Sequence, residues 1–407
     1  MTRKLYLVRS LATNAFGTVM LFDNKQRTRI EPKKPGETDF AFYDSSARPE
    51  YQTYRDLING WIAMLPESEQ AETVARMKDS DSLAYQAALS ELTIHTALIK
   101  QGYNVVVHPG CPHPTRKPDF LVKTKDGAPV AYVEVTTFGP ALEDVGMSNR
   151  EAAIYNAIDK TKLPAGFRLS YDVVKRGTSS PNVGKLCAEI EKWTAECAQD
   201  DPEITSVEVF DADDWKIELT LIGGFKKDAP VERSIGSAMG DVRLVKADSE
   251  IRAALKKKGS RYGNFDHPYV VVVTDCKSEL VGGDRNVQAL LDAVFGTVET
   301  VVTVHADGQQ AIEEKRRNNG YWGRPEFPQH PNVSAAILLP RPHLWDLRAD
   351  RWQPLLLHHP WATHKLPDDF LPLQGYSLNE QGEFAPTEGT RLADLLELPE
   401  PWPPEGA

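Results

Sequence analysis

The sequence predicts an α/β fold in which a central mixed sheet is flanked by helices, and three observations carry that prediction. Residues 82–101 place apolar side chains at helical spacing. Two β-favouring runs, Asp119–Thr124 and Val130–Thr137, are joined by the turn Lys125-Asp126-Gly127, whose Asp-Gly pair suits a tight hairpin. The run Tyr269–Thr274 is apolar without alternation, the pattern of a strand covered on both faces.

A chain of 407 residues, 41% hydrophobic and 26% charged, has the composition of an ordinary globular protein and room for one elaborated domain or two. No apolar run approaches the roughly 20 residues that cross a bilayer, so no membrane partner is expected. The opening MTRKLYLVRSLATNAFG lacks the apolar segment of a secretion signal, and Cys111, Cys187, Cys197 and Cys276 form no CxxC pair. Both point to a reducing cytoplasm. A net charge of −11 excludes a chain coated in nucleic acid by bulk electrostatics, while leaving room for basic patches around a cleft.

In chain order, residues 1–80 form a mixed lead-in with short strands expected at Lys4–Val8 and Thr18–Phe22 and a helix at Tyr51–Leu65. The expected core spans 81–340. It begins with the helix 82–101, the strand Tyr103–His108, a proline-rich loop Pro109–Pro118 and the hairpin. A helix opened by Ser148, with Glu151 at capping-box spacing, runs to about Leu163, and Phe167–Val174 is the next strand. Ser180-Pro181 starts a further helix. Ser206–Phe210 and Trp215–Ile222 read as strands and Ser249–Lys258 as a helix, and Gln288–Phe295, Thr300–His305 and Val333–Leu339 continue the α/β pattern. From 341 to 407 proline becomes frequent and periodicity fades, which predicts an irregular extension with a short helix at Arg391–Leu396.

The chemistry concentrates in three carboxylates. Glu91 shares a helical face with Ala87, Ile94 and Leu98, where a carboxylate is costly unless paired or bound to a cation. Asp119 starts a strand directly after Pro118, and Glu134 alternates with Val133 and Val135 so that it shares a strand face with Thr136. This order, a helical glutamate, Pro-Asp opening a strand and Glu-x-Thr on the next, resembles the PD-(D/E)XK nuclease superfamily over residues 82–175.

The resemblance implies a restriction-endonuclease-like core that hydrolyses phosphodiester bonds with Mg²⁺ or Mn²⁺, on DNA in preference to RNA, in restriction or antiphage defence and with a homodimer as one allowed assembly. It implies Asp119 and Glu134 as metal ligands, the Val135 carbonyl as a third, and Glu91 in support. A hard cation held by oxygen ligands would neutralise the phosphate and acidify a bound water. Thr136 stands where the superfamily has its lysine, so the charge must come from elsewhere. Lys160, sharing a helix face with Asn156, is the first candidate, whereas Lys123 lies about 13 Å along the strand from Asp119. The alternative is a catalytically inactive module of this fold that binds nucleic acid or a protein partner.

Other clusters carry less. His108, Cys111 and His113 lack a fourth zinc ligand and read as a cleft wall. His358, His359 and His364 read as packing. Gly177–Lys185 has the wrong spacing for a phosphate loop, although the Ser180 helix start offers free amides. Two basic patches suit phosphate contact and base stacking: Lys256, Lys257, Lys258 and Arg261 in the first, Arg316, Arg317 and Trp322 in the second.

Overall fold

The computed structural model describes residues 19–34, 36–79, 82–138, 142–200, 205–226, 234–238, 247–276, 280, 282–304, 310–340, 344–378 and 384–402. The chain divides into two compact units, one built from residues 1–31, 38–139 and 245–407, the other from 32–37 and 140–244. This division cuts across the expected segments 1–80, 81–340 and 341–407.

The first unit opens with helices α1 (Asp39–Ser45), α2 (Pro49–Ala63), α3 (Glu67–Met77) and α4 (Ser82–Lys100), then strands β1 (Asn104–Val107), β2 (Phe120–Lys123) and β3 (Pro129–Phe138). The second unit holds α5 (Leu142–Ile158), β4 (Arg168–Lys175), α6 (Val183–Asp200), β5 (Thr205–Ala212), β6 (Trp215–Ile222) and β7 (Ile235–Ala238). The chain then returns to the first unit with α7 (Ala247–Gly259), β8 (Tyr269–Asp275), α8 (Asp284–Phe295), the hairpin β9 (Val298–Val304) and β10 (Gln310–Arg316), and the short pair β11 (Gly323–Arg324) and β12 (Phe327–Pro328). It ends with β13 (Ala335–Leu339), β14 (Leu355–His358), β15 (Gly375–Leu378), β16 (Phe384–Thr387) and α9 (Leu392–Leu395).

In the first unit a mixed eight-stranded sheet runs in the order β1-β2-β3-β8-β13-β14-β15-β16. Its middle strands β3, β8 and β13 are parallel, and β8 is buried along its whole length. Alternation sorts the side chains. Val133, Val135, Val270 and Val272 enter a core shared with α1 to α4, while Val271 and Val273 enter one shared with α7 and α8. The expected mixed α/β sheet flanked by helices is what the first unit contains. The second unit is smaller, a four-stranded sheet in the order β5-β6-β4-β7 with its own core around Trp215, Ile190 and Ile154.

Two expectations change here. Residues 19–22, the described part of the expected strand Thr18–Phe22, form no strand: the amides of Leu21 and Phe22 donate to Asn59 Oδ1 at 3.0 and 3.2 Å, so a side chain replaces the sheet partner. Lys4–Val8 lies outside the described residues. The C-terminal region is not an irregular wrap, because β14, β15 and β16 extend the main sheet. Each has only four residues, too few for a periodic signal in sequence.

One buried group makes this fold sensitive to acid. His95 on α4 is 1% exposed, its Nδ1 has no partner, and burial pushes its pKa down to about 4. The unfolded chain binds a proton near 6.5 that the fold resists. Stability therefore falls as pH drops from about 6.5 towards 4, by about 3 kcal/mol in full. His95→Leu is expected to flatten that limb, read from urea unfolding at pH 7 and pH 4.5. An unchanged slope would assign the acid sensitivity to other groups.

Candidate functional site

Pairing of β2 with β3 sets Phe120 against Val133 and Leu121 against Tyr132, so Asp119, one residue before β2, approaches Glu134. The Asp119 carboxylate accepts the Val135 amide at 2.7 Å through Oδ2. That bond fixes the carboxyl at the point where β2 ends. Its other oxygen has no hydrogen-bond partner among the described residues. Burial first, then the charges of Glu134 and Glu91, push the Asp119 carboxyl well above the usual carboxylate range. Asp119 thus feels the charge of both Glu91 and Glu134, although 28 residues separate it from the first in sequence and 15 from the second.

Glu134 lies 1% exposed on β3, on the face turned towards α7 and α8. A carboxylate there requires partners. Lys258, in the last turn of α7, donates Nζ to Oε1, and Tyr262 donates its hydroxyl to Oε2 at 2.7 Å. Tyr269 OH donates to the Lys258 carbonyl at 3.2 Å and steadies that turn. Burial and then the Glu134 charge push the Tyr262 phenol far up, so it remains a donor at any working pH. Glu91 is held from the other side: Arg76 of α3 grips it with two bonds of 2.6 Å. A small pocket beside the cluster is lined by Asp119, Glu91 and Arg76 together with Glu69, Glu72 and His108.

The three carboxylates face two cations, which leaves a surplus of one negative charge. The donor types, hard carboxylate oxygens, fit Mg²⁺ or Mn²⁺. Among the described residues no three histidine, cysteine or carboxylate side chains converge to hold a metal as they stand. Both oxygens of Glu134 and of Glu91 are engaged by neighbours, so ligation requires one of these contacts to exchange. Asp119 Oδ1 requires none.

The remaining expected residues are placed as follows. Thr136 is buried on the Glu134 face one pleat along. Lys160 is exposed in the second unit, beyond the end of α5. The cation at Glu134 is Lys258, which the sequence had assigned to nucleic-acid contact. The resemblance ran continuously over 82–175, but α5 and β4 belong to the second unit, and the helix and strand that follow β3 within its own unit are α7 and β8. Nothing in the spacing marks residues 140–244 as an insertion, because their helix and strand continue the same alternation.

The first basic patch stays in part exposed. Lys256 and Lys257 project from α7, and Arg116, from the loop before Asp119, donates to the Arg261 carbonyl at 3.2 Å. The second patch changes character. Arg316 pairs with Asp292 at 2.9 Å, Arg317 pairs with Glu299 at 2.5 Å, and Trp322 is fully buried against Phe295. Trp322 is thus a core residue and offers no face for base stacking. Apolar neighbours such as Val333, distant in sequence, caused that burial, and no local signal reports it.

His113 Nδ1 accepts the amides of Thr115 and Arg116, which makes it a loop cap. His359 bonds Gln329 and Trp361. The amides of Thr178 and Ser179 donate to Asp214, and the helix start is capped by Asn182 in place of Ser180.

Comparison with protein-family models, curated proteins and solved structures finds no match to this chain. No helix among the described residues is long and apolar enough to cross a membrane.

Proposed function

We propose that the chain is a metal-dependent nuclease of PD-(D/E)XK type, hydrolysing phosphodiester bonds of DNA in preference to RNA. The observation that carries this reading is Lys258 at Glu134, beside Asp119: it supplies the charge that Thr136 lacks. The element order α4-β1-β2-β3-α7-β8, with the second unit inserted after β3, supports a restriction-endonuclease-like core.

Asp119 and Glu134 would hold the cation, with the Val135 carbonyl and Glu91 in support. A bound divalent cation would neutralise phosphate charge and acidify a water for attack. Lys258, with three donors, can keep one on Glu134 and offer another to that water or to a phosphate oxygen. Tyr262 fixes the Glu134 orientation. Arg116, Lys117, Lys256 and Lys257 supply exposed cations for the strand backbone on elements flanking the site.

A second reading, a non-catalytic nucleic-acid-binding or protein-binding module, is favoured by one observation: Arg76 and Lys258 engage two of the three carboxylates. The two differ in a simple experiment. The purified chain is incubated with supercoiled plasmid, single-stranded DNA and RNA in Mg²⁺ or Mn²⁺. The nuclease reading expects DNA cutting that EDTA stops. No cutting of any substrate, with no heat of metal binding by calorimetry, would leave the binding module.

A further inference from the structure

Arg76 holds Glu91 in a place where it can be displaced. Its two bonds of 2.6 Å match guanidinium to carboxylate, yet the two side chains keep 33% and 22% of their surface open to solvent. An ion pair so placed is only modestly stabilising, because water competes for both partners. Arg76 lies in the last turn of α3, and Glu72 stands one turn back on the same helix. The charges of Glu91, Asp119 and Glu72 all act on the guanidinium. It therefore keeps compensating charge when Glu91 leaves it.

The pocket that Arg76, Glu91 and Asp119 line together has a volume of about 30 Å³. That is room for water or a bare cation, and far below the size of a small-molecule site. The carboxylates of Glu69, Glu72, Glu91 and Asp119 line it against Arg76. Such a wall attracts a divalent cation and repels a phosphate that comes alone. Both Glu91 oxygens accept from the guanidinium, and a cation beside them repels it. A phosphate offers the guanidinium fork the same two-oxygen geometry as the carboxylate it would leave.

We propose, building on the nuclease reading, that Arg76 is a phosphate-contacting residue held in store on Glu91. When nucleic acid and a divalent cation arrive together, the guanidinium passes from Glu91 to a backbone phosphate, and the freed carboxylate turns to the cation. Binding of the two is thereby coupled, and each binds less tightly alone. The acidic wall of the pocket enforces that coupling, because a phosphate reaches Arg76 only where the cation offsets the carboxylates.

The test is calorimetry on the full chain, titrating Mn²⁺ with and without a short phosphorothioate DNA duplex that resists hydrolysis. In the wild type the duplex should tighten Mn²⁺ about tenfold or more, and Mn²⁺ should tighten the duplex by the same factor. Arg76→Gln keeps a hydrogen bond to Glu91 without the charge. It should bind Mn²⁺ more tightly in the absence of DNA and lose most of the coupling. Glu91→Gln loosens the guanidinium, so it should bind the duplex several-fold more tightly in EDTA, and that gain should vanish when Arg76→Gln is added. Glu72→Gln removes a carboxylate from the same wall without freeing Arg76, so its gain should be smaller. Equal coupling in Arg76→Gln, a Glu91→Gln gain that survives Arg76→Gln, or an equal gain in Glu72→Gln would each overturn the role of Arg76 and leave the nuclease reading standing. A wild type that binds no Mn²⁺, with or without DNA, would overturn both.

Discussion

Asp119→Asn is expected to make the protein more stable while removing the DNA cutting that the nuclease reading expects. The substitution keeps an oxygen for the Val135 amide and removes a charge that the fold tolerates poorly. The sign follows from the direction of the shift. A carboxyl whose pKa is raised by folding penalises the native state at every pH above its unfolded value, and stability recovers as pH falls through the folded value. At neutral pH the asparagine variant should therefore gain about 1–2 kcal/mol, seen as a higher unfolding midpoint. If Asp119 ligates the cation, the same change should lower DNA cutting roughly a thousandfold, as loss of metal-stabilised charge development does. Mg²⁺ should raise the melting temperature of the wild type and leave the variant unmoved. A variant that is less stable and still cuts would remove Asp119 from the site.

Lys258→Met is the second change with a large expected effect. It strands the Glu134 carboxylate, 1% exposed, with only the Tyr262 hydroxyl. Removing one partner of such a buried pair costs about 3–5 kcal/mol. In the nuclease reading it also removes the charge at the reacting phosphate, for a rate loss of about a hundredfold or more. Stability and activity would then fall together, so a rescue is needed to separate them. Thr136 occupies the Glu134 face about 7 Å along the strand. Thr136→Lys in the Lys258→Met background should restore part of the cutting rate, whereas a purely structural Lys258 would give recovered stability without recovered rate. Lys160→Met should change neither, measured by plasmid nicking and by thermal unfolding. A Lys160→Met variant that loses cutting while Lys258→Met keeps it would reverse the assignment.

Much of the core was legible in the chain because its signals are local. The Asp-Gly turn and the flanking β-branched residues fix the hairpin, and its two-residue period fixes which side chains accompany Glu134. Glu91, Asp119 and Glu134 could be singled out because a carboxylate among apolar neighbours at strand or helix spacing demands a partner. The uninterrupted valines of β8 announced a strand covered on both faces. Such inferences need no knowledge of what packs where.

The identity of the partners did require it. Lys258 lies 124 residues from Glu134, on a helix whose lysine run read as a patch for phosphate contact. Arg76 reached Glu91 from the expected lead-in, and Trp322, placed among basic residues, was taken into the core. The second unit separates β3 from α7 without a break in local pattern, so chain proximity suggested α5 and Lys160. The sequence by itself therefore determined the hairpin, the buried strand and the three acidic groups, since each is set by periodicity and by the cost of burying charge. Only the tertiary structure decided which cations compensate them, because an ion pair between distant segments depends on how the sheet and helices pack and leaves no periodic trace along the chain.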